Sequence, residues 1–353
     1  MDWKSLLARE NITVKEALKK MDAGAQRILF IVNKEGVLRG VITDGDIRRH
    51  ILSEGKLTDS IAQVYNPHPV SFPEHYSQKA LKKTMIDNRI EVIPLINEKK
   101  QIVDTVCWTD IFTNKETISK NQIGIPVVIM AGGKGDRLDP FTRILPKPLI
   151  PIGEKPIIEL IIDSFRSVGV QDFYVTLNYK GEMVKTFFDS FDKKYRITYT
   201  WEREALGTAG SLRLLPPTIA DTFLISNCDI IVHADYSDLL AFHIRNKNIL
   251  TVVGSIQHHR IPYGIIHFKN KGKIKNIQEK PEFDFTVNTG VYLASKRILE
   301  VIPPESNFDM TDLINRLLKK KENVGIYPVS QKSYIDIGQW EDYKKTIERF
   351  NIL

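Results

Sequence analysis

Five consecutive apolar residues, Val127 to Ala131, run straight into Gly132, Gly133 and Gly135. A strand with no polar alternation has to be covered on both faces, which puts it inside a parallel sheet flanked by helices. Glycines directly after such a strand open backbone angles closed to other residues and let amide N–H groups approach an anion. Arg137 and Lys147 lie on the same excursion. Arginine presents a planar fork of donors to phosphate oxygens and lysine a compact charge, so one segment can hold a polyphosphate at two points. Pro146 and Pro148 stiffen the backbone on either side of Lys147 and lower the entropy of aiming it. The turn has no Gly-Lys-Ser/Thr ending and does not fit G-x-G-x-x-G, because Arg137 stands where the third glycine could come.

Downstream, short apolar runs at 173–177, 197–201, 223–226, 250–254, 291–294 and 324–329 read as strands. Segments 157–168, 181–191 and 236–246 between them read as helices. This alternation predicts a layered α/β sheet with ligands at the carboxyl ends of its strands. Asp229 follows the strand at 223–226 and Asp336 ends a shorter extended stretch, so both acids fall at strand ends. A single carboxylate there often only caps a helix. Two together suit a divalent metal that offsets charge on a phosphate.

The run GGKGDRLDPFTRILPKPLIPIGEKPII resembles the signature of the bacterial sugar-1-phosphate nucleotidylyltransferases. The resemblance extends to the C-terminus, about two thirds of the chain, and implies a Rossmann-like domain with a mixed, mostly parallel sheet. It implies that Arg137 and Lys147 meet the nucleotide phosphates, with Ala131, Gly132, Gly133 and Gly135 forming the nucleotide turn. Ala205 to Gly210 resembles the family's nucleobase loop, with Gly207 against the base and Thr208 beside it. Asp229 and Asp336 correspond to the ligands of Mg²⁺. Lys280, held before Pro281, would take the sugar phosphate and Glu279 the sugar hydroxyls, while Gly264 and Asn288 of Asn288-Thr289-Gly290-Val291-Tyr292 would contact the sugar. Asp136 stands where many members carry threonine, and Cys228 where many carry glycine.

Ahead of this region the chain repeats itself. Residues 28–47 match residues 92–111 without a gap, so that Asn33 maps to Asn97 and Asp46 to Asp110. Each copy reads helix, strand, turn, strand, helix, and two such small units need a shared core. The pair resembles tandem CBS domains, giving a smaller α+β domain over 1–118, a linker over 119–124 and the transferase over 125–353. In the first copy the resemblance implies that Thr43 approaches phosphate and that Asp46, and Asp110 in the second, accept ribose hydroxyls. The second copy has Cys107 and Asp104 at the threonine and glycine positions. The alternative is a dimerisation module in which Asp46 only caps a helix.

The net charge of +7 is spread evenly, with 19 basic against 16 acidic residues up to position 120 and 31 against 27 beyond it. Without a basic block, phosphorylated small molecules explain the excess better than nucleic acid. The two cysteines, Cys107 and Cys228, lack metal-ligand spacing. Apolar runs are broken by charge well short of a membrane span, and no signal-peptide core is present, so a cytoplasmic protein is expected. The expected partners are a nucleoside triphosphate and a sugar-1-phosphate, with a regulatory nucleotide at the CBS pair and a homo-oligomeric assembly. A CBS pair before this transferase resembles the guanylyltransferases that make GDP-sugars, one branch of which acts on glucosamine-1-phosphate for legionaminic acid. GTP is therefore favoured, while CTP, UTP and dTTP, and a non-catalytic nucleotide-sensing subunit, remain the alternatives.

Overall fold

The computed structural model describes residues 3–24, 27–88, 90–107, 123–304, 306–338 and 343. The chain divides into two compact units, Met1–Lys120 and Asn121–Leu353.

In the first unit, β1 (Leu7–Ala8) pairs in parallel with β2 (Ile28–Val32), which pairs antiparallel with β3 (Leu38–Thr43). β4 (Phe72–Pro73), β5 (Val92–Ile96) and β6 (Ile102–Cys107) repeat that arrangement. Helices Val14–Gly24 and Gln78–Asn88 occupy equivalent places before β2 and β5. The repeat reaches the turn chemistry. Asn33 Oδ1 accepts the amides of Glu35 and Val37 at 3.1 and 2.9 Å, and Asn97 Oδ1 accepts those of Lys99 and Gln101, both at 3.0 Å. Each copy also carries a bulge at the same point, Ile31/Val32 and Leu95/Ile96. Phe30 and Val32 share a cluster with Val92 and Ile102, the common core that two small units require.

The second unit is built on a sheet of order β11-β10-β7-β12-β17-β14-β18. Here β7 is Val127–Met130, β10 Asp172–Leu177, β11 Arg196–Trp201, β12 Thr222–Asn227, β14 Leu250–Arg260, β17 Glu282–Ser295 and β18 Val324–Val329. β11, β10, β7 and β12 are parallel, β17 runs antiparallel between β12 and β14, and β18 is parallel to β14. Val127 and Ile129 of β7 join one buried cluster, Val128 and Met130 the other. Both faces of β7 are thus covered, as its unbroken apolar sequence requires. Helices Ile157–Arg166, Gly181–Asp189 and Tyr236–Arg245 supply buried residues to the first cluster, and helix Met310–Lys319 to the second.

Among the described residues, three two-stranded pairs accompany this sheet. The hairpin of β8 (Pro151–Ile152) and β9 (Lys155–Pro156) follows the lysine turn. β13 (Ile230–Val232) pairs with β19 (Tyr334–Asp336), and β15 (Ile265–Phe268) with β16 (Ile274–Gln278). β14 and β17 also run on past the sheet, with Arg260 opposite Glu282. This ribbon and the β15–β16 hairpin leave Phe268, Ile274 and Ile277 exposed, so no buried face imposed an alternation on their sequence.

Most of the stretch read as a linker, 119–122, lies outside the described residues. Ile123 does not behave as linker, because it is 5% exposed in the core of the second unit and its amide bonds the Val168 carbonyl at 3.3 Å. A single isoleucine among polar residues carries no periodic signal, so only packing reveals it. Among the described residues no helix is long and apolar enough to cross a membrane.

Candidate active site

Because β11, β10, β7 and β12 are parallel, the residues that follow them emerge at one edge of the sheet. These are Glu202 after β11, Asn178 after β10, Ala131 and Gly132 after β7, and Asp229 shortly after β12. Gly132 is required by proximity: a Cβ there would collide with Glu202 Oε1 and meet Asn178 Cβ at 3.3 Å. Gly133 faces open space. Gly135 has φ +75°, and a Cβ on it would meet Lys147 Cβ at 2.8 Å and Thr142 Cγ2 at 3.0 Å, so the glycine turn lies directly on the lysine stem.

The centre of the site is a meeting of Lys147, Asp229 and Asp336. Lys147 is 9% and Asp229 7% exposed, and they form a buried ion pair through Nζ and Oδ2. The β13–β19 ribbon sets the second acid beside the first, with Ile230 opposite Asp336 and the Ile337 amide donating to the Asp229 carbonyl at 2.9 Å. Gly338 shows how closely the groups converge. A Cβ there would collide with Asp229 Oδ2, and would meet Asp336 Oδ1 at 2.9 Å and Lys147 Nζ at 3.1 Å. The Gly338 amide donates to Asp336 Oδ1 at 2.7 Å. Among the described residues no group of three or more His, Cys, Asp or Glu side chains is placed to hold a metal. Two converging carboxylates nevertheless suit Mg²⁺, which is commonly held by one or two carboxylates together with substrate phosphates. Arg137 stands exposed in the turn Asp136–Leu138, anchored by buried Leu138.

Lys180 braces this loop. Its Nζ donates to the carbonyls of Thr142, Arg143 and Ile144 at 3.3, 2.5 and 3.1 Å. Sequence reasoning passed over it, since a lysine that bonds main-chain carbonyls has no motif.

Glu202 was also missed. It is partly buried, its Oε2 accepts the Leu206 amide at 3.2 Å, and Oε1 faces the Gly132 Cα. Burial pushes its carboxyl pKa up, opposed by the Leu206 N–H. No cation pairs with it among the described residues. The sequence signal was its position, a charged residue directly after an apolar strand and five residues before Gly207.

Gly207, at φ +75°, is pinned by protein rather than left free: a Cβ would meet Asn307 Oδ1 and the Phe308 carbonyl at 2.8 Å and Asp309 Oδ1 at 2.9 Å. Thr208 gives both its amide and its hydroxyl to Asp309 Oδ1, at 2.9 and 3.1 Å.

Among the residues expected at the sugar, Gly264, Glu279 and Lys280 come together at the β15–β16 hairpin. A Cβ on Gly264 would meet Glu279 Oε2 at 2.8 Å, and Lys280 Nζ lies 3.9 Å from Glu279 Oε1. Lys280 itself sits at φ 44°. Asn288 is engaged within its own motif, accepting the Gly290 amide at 3.0 Å and donating to the Tyr292 hydroxyl at 2.8 Å. Gly290, at φ +81°, packs against the Asn227 side chain two residues before Asp229.

In the first unit Thr43 and Asp46 form a capping box on helix Asp44–Leu52. Asp46 Oδ2 accepts the Thr43 amide and hydroxyl at 2.8 and 2.6 Å, and Oδ1 pairs with Arg49. The helix-capping alternative thus describes what these side chains do in this structure. Asp110 lies outside the described residues.

A glycine turn, a proline-braced lysine and two acids thus meet at the carboxyl edge of a mixed sheet in an α/β protein. Residues 126–351 match the family Nucleotidyl transferase, and the chain belongs to it; residues 1–53 match the CBS domain family. The chain is 32% identical over 225 residues to the mannose-1-phosphate guanyltransferase of Yarrowia lipolytica, covering 61% of each. It is 28% identical over 241 residues to the UTP–glucose-1-phosphate uridylyltransferase of Synechocystis, covering 62% of each. It thus spans about three fifths of the length of these curated relatives. Among solved structures, HddC from Yersinia pseudotuberculosis is 27% identical with a TM-score of 0.52, over 64% of this chain and 99% of that one.

Proposed function

We propose that the second unit is a sugar-1-phosphate nucleotidylyltransferase, joining a nucleoside triphosphate and a sugar-1-phosphate into a nucleotide sugar with release of pyrophosphate. The observation that carries the reading is the convergence of Lys147, Asp229 and Asp336 around Gly338, beside the glycine turn. A phosphate oxygen of the sugar phosphate attacks the α-phosphorus in line, and the bond to the departing pyrophosphate breaks. Arg137 and Lys147 hold the triphosphate and offset its growing charge, and Lys280 holds the sugar phosphate with Glu279 at the sugar hydroxyls. Asp229 and Asp336 would hold Mg²⁺, which when bound neutralises phosphate charge and orients the reactants. Before substrate arrives Lys147 is the counter-charge of Asp229. Triphosphate draws Lys147 towards phosphate and frees the carboxylate.

GTP is the favoured nucleotide. Guanine is the common base with two adjacent donors on its pairing edge, N1–H and N2–H₂, which match the two oxygens of a carboxylate. Glu202 offers such a carboxylate between the glycine turn and the Ala205–Gly210 loop. The mannose-1-phosphate guanyltransferases among the relatives agree with a GDP-sugar product. The sugar belongs to the hexose-1-phosphates, mannose or glucosamine in type, the latter as in legionaminic acid synthesis.

The first unit, residues 1–118, regulates or assembles the enzyme in the cytoplasm as a homo-oligomer. A regulatory nucleotide would have to draw Asp46 out of its capping box. The test of the activity is pyrophosphate release with each of GTP, CTP, UTP and dTTP against mannose-, glucose- and glucosamine-1-phosphate, with Mg²⁺. Release with GTP and one hexose-1-phosphate is expected. Silence for every pair, with nucleotide binding confined to residues 1–118, would favour a sensor.

A further inference from the structure

The segment Ser306–Met310 lies across the loop Ala205–Gly210 and bonds nearly every backbone group on that side of it. The Phe308 carbonyl accepts the amides of Ala209 and Gly210 at 2.9 and 2.8 Å, and the Phe308 amide donates to the Leu206 carbonyl at 2.8 Å. Asn307 Nδ2 donates to the Ala205 carbonyl at 3.4 Å. Thr208 is held hardest. Its amide and hydroxyl both donate to Asp309 Oδ1, and the hydroxyl oxygen accepts the Met310 amide at 2.9 Å, which closes a small ring of bonds between residues about a hundred positions apart.

Two consequences follow from that geometry. The amides of Thr208, Ala209 and Gly210 are all consumed by the strap, so none is free to receive a nucleotide. The path of the loop beside Glu202 is therefore set from behind. With no room for a Cβ at Gly207, the loop cannot relax towards the strap, and a shift of the strap must be passed forward to Leu206, whose amide holds Glu202 Oε2.

We propose that Asp309 is a positioning residue for the nucleobase: through Thr208 it fixes the loop, and through Leu206 it fixes the carboxylate that reads the base. This rests on the function proposed above. Asp309 touches neither phosphate nor base. Its effect is on how well the base is held, and not on the transfer step.

The side chain also stands at the start of helix Met310–Lys319, where the Asp309 amide donates to Asp312 Oδ2 at 3.1 Å. A purely structural role would act through that helix. The two roles separate by comparing Asp309→Ala, Asp309→Asn and Asp312→Ala in the full-length protein. Asp309→Ala is expected to raise KM for the preferred triphosphate about 10- to 100-fold, with KM for the sugar-1-phosphate and kcat changed less than about threefold. Asp309→Asn keeps an acceptor oxygen for Thr208 and should restore most of the affinity. Asp312→Ala breaks the capping box alone, so it should lower Tm while leaving the triphosphate KM at the wild-type value. Amide hydrogen exchange at Thr208, Ala209 and Gly210 should accelerate in Asp309→Ala and stay slow in Asp312→Ala.

Unchanged triphosphate KM and unchanged exchange in Asp309→Ala would overturn the proposal, as would an Asp312→Ala variant that reproduces its kinetic signature. If the wild-type protein transfers no nucleotide at all, the functional reading fails by itself. The exchange experiment still tests whether Asp309 holds the loop.

Discussion

Replacing Glu202 by Gln tests the base assignment at the level of single hydrogen bonds. A carboxylate facing guanine accepts from N1–H and N2–H₂, and each charge-assisted bond is worth about 1.5–3 kcal/mol. The amide keeps one acceptor and turns an N–H towards a guanine donor, so one bond is lost and the other loses its charge. A loss of about 2–4 kcal/mol lowers kcat/KM for GTP by roughly 30- to 1,000-fold. Uracil presents N3–H beside a carbonyl, the pattern an amide complements, so UTP should improve in the same variant. Steady-state pyrophosphate release with both triphosphates reads the ratio directly. If Glu202→Gln leaves the GTP to UTP preference within about threefold of wild type, the carboxylate does not select the base and the argument for guanine fails.

The same variant has a stability signature. Burial raises the Glu202 carboxyl above its ordinary 4.5, so its contribution to stability is full below pH 4.5 and is lost as pH rises through the elevated value. Glu202→Gln should therefore raise Tm at neutral pH, with the gain vanishing towards pH 4. His243 acts with the opposite sign: buried, with Nδ1 2.8 Å from Thr251 Oγ1, it is pushed from 6.5 down to about 4. Stability present above pH 6.5 should fall by about 3 kcal/mol as pH drops through 6.5 towards 4, and His243→Gln should flatten that slope in denaturant titrations. Asp229→Ala should give a folded protein with turnover reduced about a thousandfold or more, and some loss of Tm because Lys147 is left buried without its partner. Near-normal pyrophosphate release from it would remove Asp229 from the mechanism. Residues 121–353 expressed alone should fold and retain transfer, since that unit has its own cores, while oligomer size or nucleotide response changes.

Much of this protein was legible before any coordinates. Val127 to Ala131 could only be a strand buried on both faces, because it offers no polar side to water. The glycine turn and the proline-braced Lys147 could be marked as one candidate site because their chemistry is local, and Gly135 does lie on the lysine stem. The repeat at 28–47 and 92–111 foretold two like folds down to the asparagine turns, since an Asx-type turn is made within five residues. Asp229 and Asp336 could be marked as acids at strand ends from their own neighbourhoods.

Tertiary structure alone decided what these pieces meet. The ribbon of β13 and β19 brings Asp336 to Asp229 across more than a hundred residues, and Lys147 reaches the same point from a third segment. Glu202 and Lys180 gained their places because strands 172–177 and 196–201 run parallel to 127–130 and deliver their ends to one edge. The Thr208–Asp309 clasp joins the loop to a segment whose sequence shows only a helix start. Local pattern records the conformation a segment prefers. Which distant side chains complete a site depends on strand order and on packing in the space between them, and neither leaves a trace within a single stretch of sequence.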